Sequence, residues 1–126
     1  MSSEEKLMIA FHLLETGFSI QITGIVLNTD LSRIKADLKN GTTIYVQYND
    51  YDEYAYMVQF SIAELDRCIF DNYDQTWLVD TAPNHFHPVL DEQGYTSLMT
   101  GEPKHDIPLL CELINSGALK DTHWRP

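Results

Sequence analysis

The residues best suited to chemistry are two histidines, His85 and His87, separated by Phe86. Alternate residues of an extended chain point to the same side, so we expect both imidazoles on one face and Phe86 on the other. A neutral imidazole binds transition metals and exchanges protons near pH 7. The pair therefore predicts a metal site or an acid–base pair.

A carboxylate and an amide lie upstream of this pair, at Asp71 and Asn72, in a run that continues through Tyr73 to Asp74. A carboxylate with two histidines suits a metal site or a hydrolytic site. We therefore take Asp71, Asn72, His85 and His87 as candidate catalytic residues. Asp71, His85 and His87 are also candidate ligands for a divalent metal. The alternative is that these side chains only satisfy backbone groups of a long loop.

Charge restricts the classes of partner. The chain of 126 residues carries 19 acidic and 8 basic residues, a formal net charge of −11. Only Arg33, Lys35 and Lys39 cluster, whereas nucleic-acid-binding surfaces gather many cations on one face. The balance disfavours a general nucleic-acid binder and favours a cation or a basic protein partner. The acidic and aromatic run 48–54 fits such a binding surface, or alternatively a solvated turn.

Period-two and helical patterns predict one α+β domain over residues 1–126, an antiparallel β-meander of four to five strands with an N-terminal and a C-terminal helix. The predicted elements are a helix over 3–15 capped by Ser3, strands from Phe18 to Leu27 with a bulge near Gly24, a two-residue hairpin turn at Asn40-Gly41, strands over 54–62 and 67–71, and a helix capped by Asp106 that ends at Gly117. Residues 72–104 read as irregular and residues 118–126 as a loose tail. Tyr45, Tyr54 and Tyr56 suggest a cross-strand aromatic ladder.

The two cysteines, Cys68 and Cys111, lie in apolar surroundings without a CxxC spacing, which favours buried free thiols over a disulfide. Residues 2–6 do not resemble a signal peptide, and no apolar run approaches the roughly 20 residues that cross a bilayer. We therefore expect a cytoplasmic protein that does not enter the membrane.

Several short motifs occur in a recognisable order between Tyr54 and Ile114. They are Tyr54-Ala55-Tyr56, the strand Arg67-Cys68-Ile69-Phe70-Asp71-Asn72, Pro83-Asn84-His85-Phe86-His87, Gly101-Glu102-Pro103 and an apolar helix from Asp106. In this order the segment resembles the TumE-like family of small proteins from bacterial and archaeal toxin–antitoxin operons. The resemblance covers about half of the chain.

The resemblance implies the toxin component of a toxin–antitoxin system, with an antitoxin as partner and RNA cleavage as the activity. His85 and His87 would then act as base and acid, Asp71 would orient one imidazole, and Asn72 would contact a phosphate. Tyr73 and Asp74 stand where family members often have a small residue and a histidine. A degenerate member is therefore a further expectation. The alternative of a different class is a non-catalytic acidic interaction module that binds a basic protein.

Overall fold

The computed structural model describes residues 1–73 and 78–126, and these form one antiparallel sheet with two helices. The α+β class and the meander are confirmed, since the strands follow one another in the sheet in chain order. The elements are α1 (Ser3–Gly17), β1 (Ile22–Asn28), β2 (Arg33–Leu38), β3 (Thr43–Tyr48), β4 (Tyr54–Gln59), β5 (Arg67–Asp71), β6 (His85–His87), β7 (Tyr95–Thr96), α2 (Pro103–Asn115) and a 3₁₀ turn (Ala118–Lys120).

The sheet has seven strands, so the prediction of four to five strands was too low. The additional strands, β6 and β7, lie within residues 72–104, which the sequence suggested were irregular. They contain three and two residues. Alternation over two or three residues does not by itself identify a strand, because period two needs about four residues to stand out.

Two features of the first hairpins follow from glycines. The strand predicted from Phe18 begins instead at Ile22, because Phe18 caps the end of α1. The register between β1 and β2 shifts between Ile22 and Gly24, in agreement with the predicted irregularity near Gly24. The β2–β3 hairpin also forms, but only Gly41 has a positive φ, of 89°. The Gly41 amide donates to the Leu38 carbonyl at 3.1 Å, and Asp37 pairs with Thr43. The loop is therefore longer than the predicted two-residue turn, and it places one glycine in the left-handed region.

Helix α1 begins at Ser3 as predicted, but its cap differs, and α2 begins earlier than predicted. Ser2 rather than Ser3 caps α1, since its hydroxyl accepts from the Glu5 amide. Helix α2 begins at Pro103 rather than after Asp106, because proline suits the first helical turn, where no intrahelical partner for its nitrogen is needed. Asp106 is instead fully buried in the first turn of α2.

The two faces of the sheet differ in what covers them. Helix α1 packs on one face, over β1, β2 and β3, and α2 packs beside α1. Alternate residues of the strands are buried there, including Ile34, Val46, Tyr56 and Phe70. The residues between them are half-buried or exposed and form what we call the open face. Its members on β2 to β5 are Arg33, Lys35, Asp37, Thr43, Tyr45, Gln47, Ala55, Met57, Gln59, Arg67, Ile69 and Asp71.

This division corrects the predicted tyrosine ladder. Tyr45 lies on the open face, opposite Met57, whereas Tyr54 and Tyr56 point towards the helices. Tyr48 takes the predicted place of Tyr45, and its ring centroid lies 5.8 Å from that of Tyr56. The Tyr56 hydroxyl lies 2.9 Å from the Tyr48 hydroxyl and donates to Asp106 Oδ2 at 2.7 Å. The interior thus contains a polar chain that joins β3 and β4 to α2.

The last residues pack back on the sheet. Leu119 is 1% exposed, the Trp124 ring lies edge-on to Phe86 at 5.3 Å, and the Arg125 guanidinium lies 4.0 Å from the centre of the Tyr95 ring. Cys68 and Cys111 are buried free thiols, as expected, and burial raises the pKa of each to about 12. Among the residues described, neither helix is long and apolar enough to span a bilayer.

Candidate functional site

The β5–β6 ladder brings the predicted site together. Antiparallel pairing sets Asp71 opposite His85 and Ile69 opposite His87. Phe86 turns the other way, is 1% exposed, and stacks on Phe70 with ring centroids 4.6 Å apart. Burial of this aromatic pair fixes which side of β6 faces the core. Both imidazoles therefore lie on the open side of the sheet, as their spacing predicted.

His85 is the buried member of the site, with 1% of its surface exposed. Its Nε2 lies 2.6 Å from Asp71 Oδ1, and its Nδ1 lies 2.9 Å from the Pro83 carbonyl oxygen. Both ring nitrogens thus face oxygen acceptors. These two contacts hold the buried ring in one orientation beside Asp71.

His87 is half-buried and differs from His85 in its electrostatics. Its Nδ1 lies 3.0 Å from the Gln93 carbonyl oxygen, so Nδ1 carries the proton and Nε2 carries the lone pair. Desolvation by burial lowers the pKa of His87 below its ordinary value of 6.5, although the Gln93 carbonyl opposes the shift. The two rings meet edge to face at 4.8 Å. His87 is therefore neutral at pH 7 and suited to accept a proton.

Asn72 does not join the histidines. Its Oδ1 accepts from the Tyr54 amide at 2.9 Å, and its Nδ2 donates to the Asp52 carbonyl at 3.0 Å. Both ends of the amide thus hold the turn before β4. Asp74, which follows in the same run, lies outside the described residues. The structure brings Asp71, His85 and His87 together and gives Asn72 a structural role.

The backbone around His85 is held by side chains that the sequence did not single out. The Tyr54 hydroxyl donates to Asn84 Oδ1 at 2.7 Å, and the Thr81 hydroxyl donates to the Asn84 carbonyl at 2.7 Å. The first contact ties the segment before β6 to β4, and the second closes a local turn within that segment. The Pro83 carbonyl is thereby positioned to accept from His85.

Two shallow grooves meet at Asp71. The histidine groove has a volume of about 250 Å³ and is lined by Arg67, Ile69, Asp71, His87 and Glu92. The sheet groove has a volume of about 450 Å³, shares Ile69 and Asp71 with it, and is otherwise lined by Arg33, Tyr45, Gln47, Ala55, Met57 and Tyr73. One surface of the open face thus gathers a histidine, carboxylates and guanidinium groups.

No protein-family model, no curated protein and no solved structure matches this chain. The geometry of the site is therefore the main guide to function.

Arg67 and Glu92 are site residues that sequence reasoning missed. Arg67 occupies the same strand as Asp71, four positions earlier, so period two places both on one face. That signal was present in the predicted strand 67–71. Glu92 had no such signal, because it lies in the connection between β6 and β7.

Asp71, His85 and His87 are placed so that they could supply the donor atoms of a metal site. One ligand atom from each can be chosen so that all three lie within 4.8 Å of one another. Each Nδ1 faces a backbone carbonyl, which is how metal-bound histidines are usually oriented so that Nε2 can bind the ion. Two imidazoles and a carboxylate suit zinc, nickel or iron better than magnesium or calcium. The residues therefore fit a transition-metal ion.

Proposed function

We propose that this protein is an RNA-cleaving toxin component of a toxin–antitoxin system, with its reaction centre in the histidine groove. The observation that carries the proposal is the presence of Arg67, Asp71 and His87 around one groove. Cleavage of a phosphodiester by its own 2′-hydroxyl needs a base and a cation beside the phosphate. The order of motifs that resembles the TumE-like family points to the same activity.

His87 is the base in this proposal. Its Nε2 removes the proton from the 2′-hydroxyl, and the 2′-oxygen attacks the phosphorus. The bond from phosphorus to the 5′-oxygen breaks, and the departing oxygen takes a proton from solvent, to which the groove is open. The products are a 2′,3′-cyclic phosphate and a 5′-hydroxyl. The Arg67 guanidinium balances the negative charge that develops on the phosphate oxygens.

Asp71 and His85 act as a positioning pair rather than as base and acid. His85 is too buried to contact a substrate, and both its nitrogens already face oxygen atoms. The sequence-based assignment of His85 as a partner of His87 in proton transfer is therefore replaced here by a role in holding Asp71 beside the groove. Its contact with Asp71 keeps that carboxylate at the junction of the two grooves.

The test is cleavage of a labelled single-stranded RNA by the wild type and by His87→Ala, with the cyclic phosphate product identified. Loss of the base is expected to lower the cleavage rate by about 10²–10⁴-fold. The matched control is His12→Ala, which removes an imidazole that is exposed on α1. A His87→Ala variant that is folded and cleaves RNA at the wild-type rate would refute the assignment.

A growth assay tests the toxin role separately. Induced expression of the wild type is expected to arrest bacterial growth, and the His87→Ala variant is expected not to, because arrest depends on cleavage. Arrest by both variants at equal protein levels would point to the acidic interaction module instead.

A further inference from the structure

The sheet groove has no role in the chemistry proposed above, yet it opens directly onto the reaction centre. It shares Ile69 and Asp71 with the histidine groove. The register shows why the two are continuous. Arg33, Gln47, Ala55, Asp71 and His85 face one another in a single row across β2 to β6. The groove therefore runs across the strands and ends at the site.

The lining of the sheet groove combines a flat apolar floor with polar ends. Ala55 and Met57 supply the floor from β4, and Tyr45 from β3 adds an aromatic ring. The Arg33 guanidinium lies 5.2 Å from the centre of the Tyr45 ring, a cation–π arrangement that holds both side chains in place. An aromatic ring beside a guanidinium is the combination that binds a base and its phosphate in single-stranded nucleic acids.

Charge on this face is unlike that of the whole protein. The open face of β2 to β5 carries three of the eight basic residues, Arg33, Lys35 and Arg67, and two acidic residues, Asp37 and Asp71, so it is less acidic than the protein as a whole. Arg33 stands three strands from Asp71, a distance of about 14 Å at the usual strand spacing of about 4.8 Å. Arg67 lies at the other end, in the histidine groove. A strand of RNA laid along the two grooves would meet a guanidinium near each end.

We propose that the sheet groove binds a nucleotide of single-stranded RNA next to the phosphodiester that is cleaved. The base packs on Tyr45 and Met57, Gln47 contacts the edge of the base, and Arg33 contacts a phosphate. This inference rests on the proposed function, because it supplies the substrate-binding part of the same site. Duplex RNA is excluded, since its bases are already stacked and cannot reach a floor formed by a sheet.

The experiment measures binding apart from cleavage. The probe is a fluorescent RNA oligonucleotide with 2′-O-methyl groups, which lacks the hydroxyl that attacks phosphorus. Arg33→Ala and Tyr45→Leu are each expected to weaken its binding about tenfold, since stacking of one base is worth roughly 1–3 kcal/mol. The control is Lys104→Ala, which removes one positive charge from an exposed position on α2. Its affinity is expected to match that of the wild type.

Salt dependence gives a second measure. Two phosphate contacts predict that affinity falls about sevenfold between 50 and 200 mM salt, since the slope for a single strand is about −0.7 per contact. With one contact removed, Arg33→Ala is expected to lose only about threefold over the same range. Tyr45→Leu is expected to keep the wild-type slope, because it removes stacking and no charge.

The outcomes separate this inference from the function on which it rests. If His87→Ala abolishes cleavage but Arg33→Ala and Tyr45→Leu bind like the wild type, the sheet groove is not the subsite and the proposed function stands. If the wild type binds the probe through these residues but cleaves no RNA, the subsite stands and the proposed function is wrong. No binding of the probe by the wild type would overturn the subsite. Circular dichroism of each variant checks that it is folded.

Discussion

Tyr56→Phe tests whether the buried hydrogen bonds among Tyr48, Tyr56 and Asp106 stabilise the fold. It also tests the order in which these groups donate their protons. A phenol has one proton, and that of Tyr56 goes to Asp106 at 2.7 Å. Tyr48 must therefore donate to Tyr56 across their 2.9 Å contact. Burial raises the pKa of both phenols, so both stay protonated at neutral pH. The order of donation is Tyr48 to Tyr56 to Asp106.

The magnitudes follow from this order. Tyr56→Phe removes a hydrogen bond to a carboxylate, worth about 1.5–3 kcal/mol, and leaves the buried Tyr48 hydroxyl without its acceptor. We expect the free energy of unfolding to fall by about 3 kcal/mol. Tyr48→Phe removes only the terminal donor and is expected to cost about 1 kcal/mol. The double variant is expected to cost less than Tyr56→Phe, about 2 kcal/mol, because it no longer leaves the Tyr48 hydroxyl buried without an acceptor.

The assay is urea denaturation of the two single variants and the double variant, with Tyr45→Phe as the control on the open face. Equal slopes of free energy against urea are needed for the comparison. A Tyr48→Phe variant that costs as much as Tyr56→Phe would refute the order of donation. Additive costs in the double variant would show that the two hydroxyls act independently.

Three further predictions concern packing, pH and metal binding. Gly17→Ala is expected to lower the free energy of unfolding by about 1–3 kcal/mol, because the new Cβ would lie 2.5 Å from Cys111 Sγ, and Cys111→Ala should restore most of the loss in urea denaturation. The Gln93 amide donates to Asp91 and lowers the pKa of that carboxyl below 3.8, so ionised Asp91 stabilises the fold above that pH. The wild type is therefore expected to melt at a higher temperature than Asp91→Asn at pH 7. This difference in melting temperature should vanish as the pH falls through the lowered pKa. In heat-stability scans Zn²⁺ and Ni²⁺ are expected to raise the melting temperature more than Mn²⁺, and to inhibit RNA cleavage by occupying Nε2 of the base. A rise that persists in His87→Ala would contradict the metal assignment.

The common orientation of the two histidines could be predicted from the sequence because it depends only on local geometry. If residues 85–87 are extended, Phe86 lies on the side opposite to the two histidines. The structure confirms that Phe86 faces the core from β6. The meeting of His85 with Asp71 is of a different kind. It depends on the register of β6 against β5, and the connection 72–84 between them is too long for a hairpin turn to set that register. Residue types therefore suggest that the three side chains meet, whereas only the folded sheet establishes that they do.

Two predictions were wrong, the start of α2 and the choice of buried tyrosine in β3, and each concerned two residues with similar structural propensities. Asp106 is a good helix cap, yet Pro103 fits the first turn equally well and lies earlier, so α2 begins at Pro103. The Asp106 carboxylate instead lies in the interior, where it accepts a hydrogen bond from Tyr56. Tyr45 and Tyr48 both suit a strand. Tyr48 is the buried one because it shares a side of β3 with Ile44 and Val46, whereas Tyr45 lies on the other side.

The net charge of −11 repels RNA from the protein as a whole, but the charge of the surface around the site differs from that of the whole protein. Screening limits the reach of exposed charges to a Debye length of about 8 Å at physiological ionic strength. Glu4, Glu5 and Glu15 of α1 lie on the opposite side of the sheet from a ligand on the open face. Asp37, Asp71 and Glu92 are the acidic residues nearest to such a ligand. The ligand would also meet Arg33 and Arg67, each in a groove that contains Asp71. The acidic residues elsewhere slow the approach of RNA, whereas the guanidinium groups in the two grooves decide where it binds. A decrease in the salt dependence of binding in Arg33→Ala is the result that distinguishes these two effects.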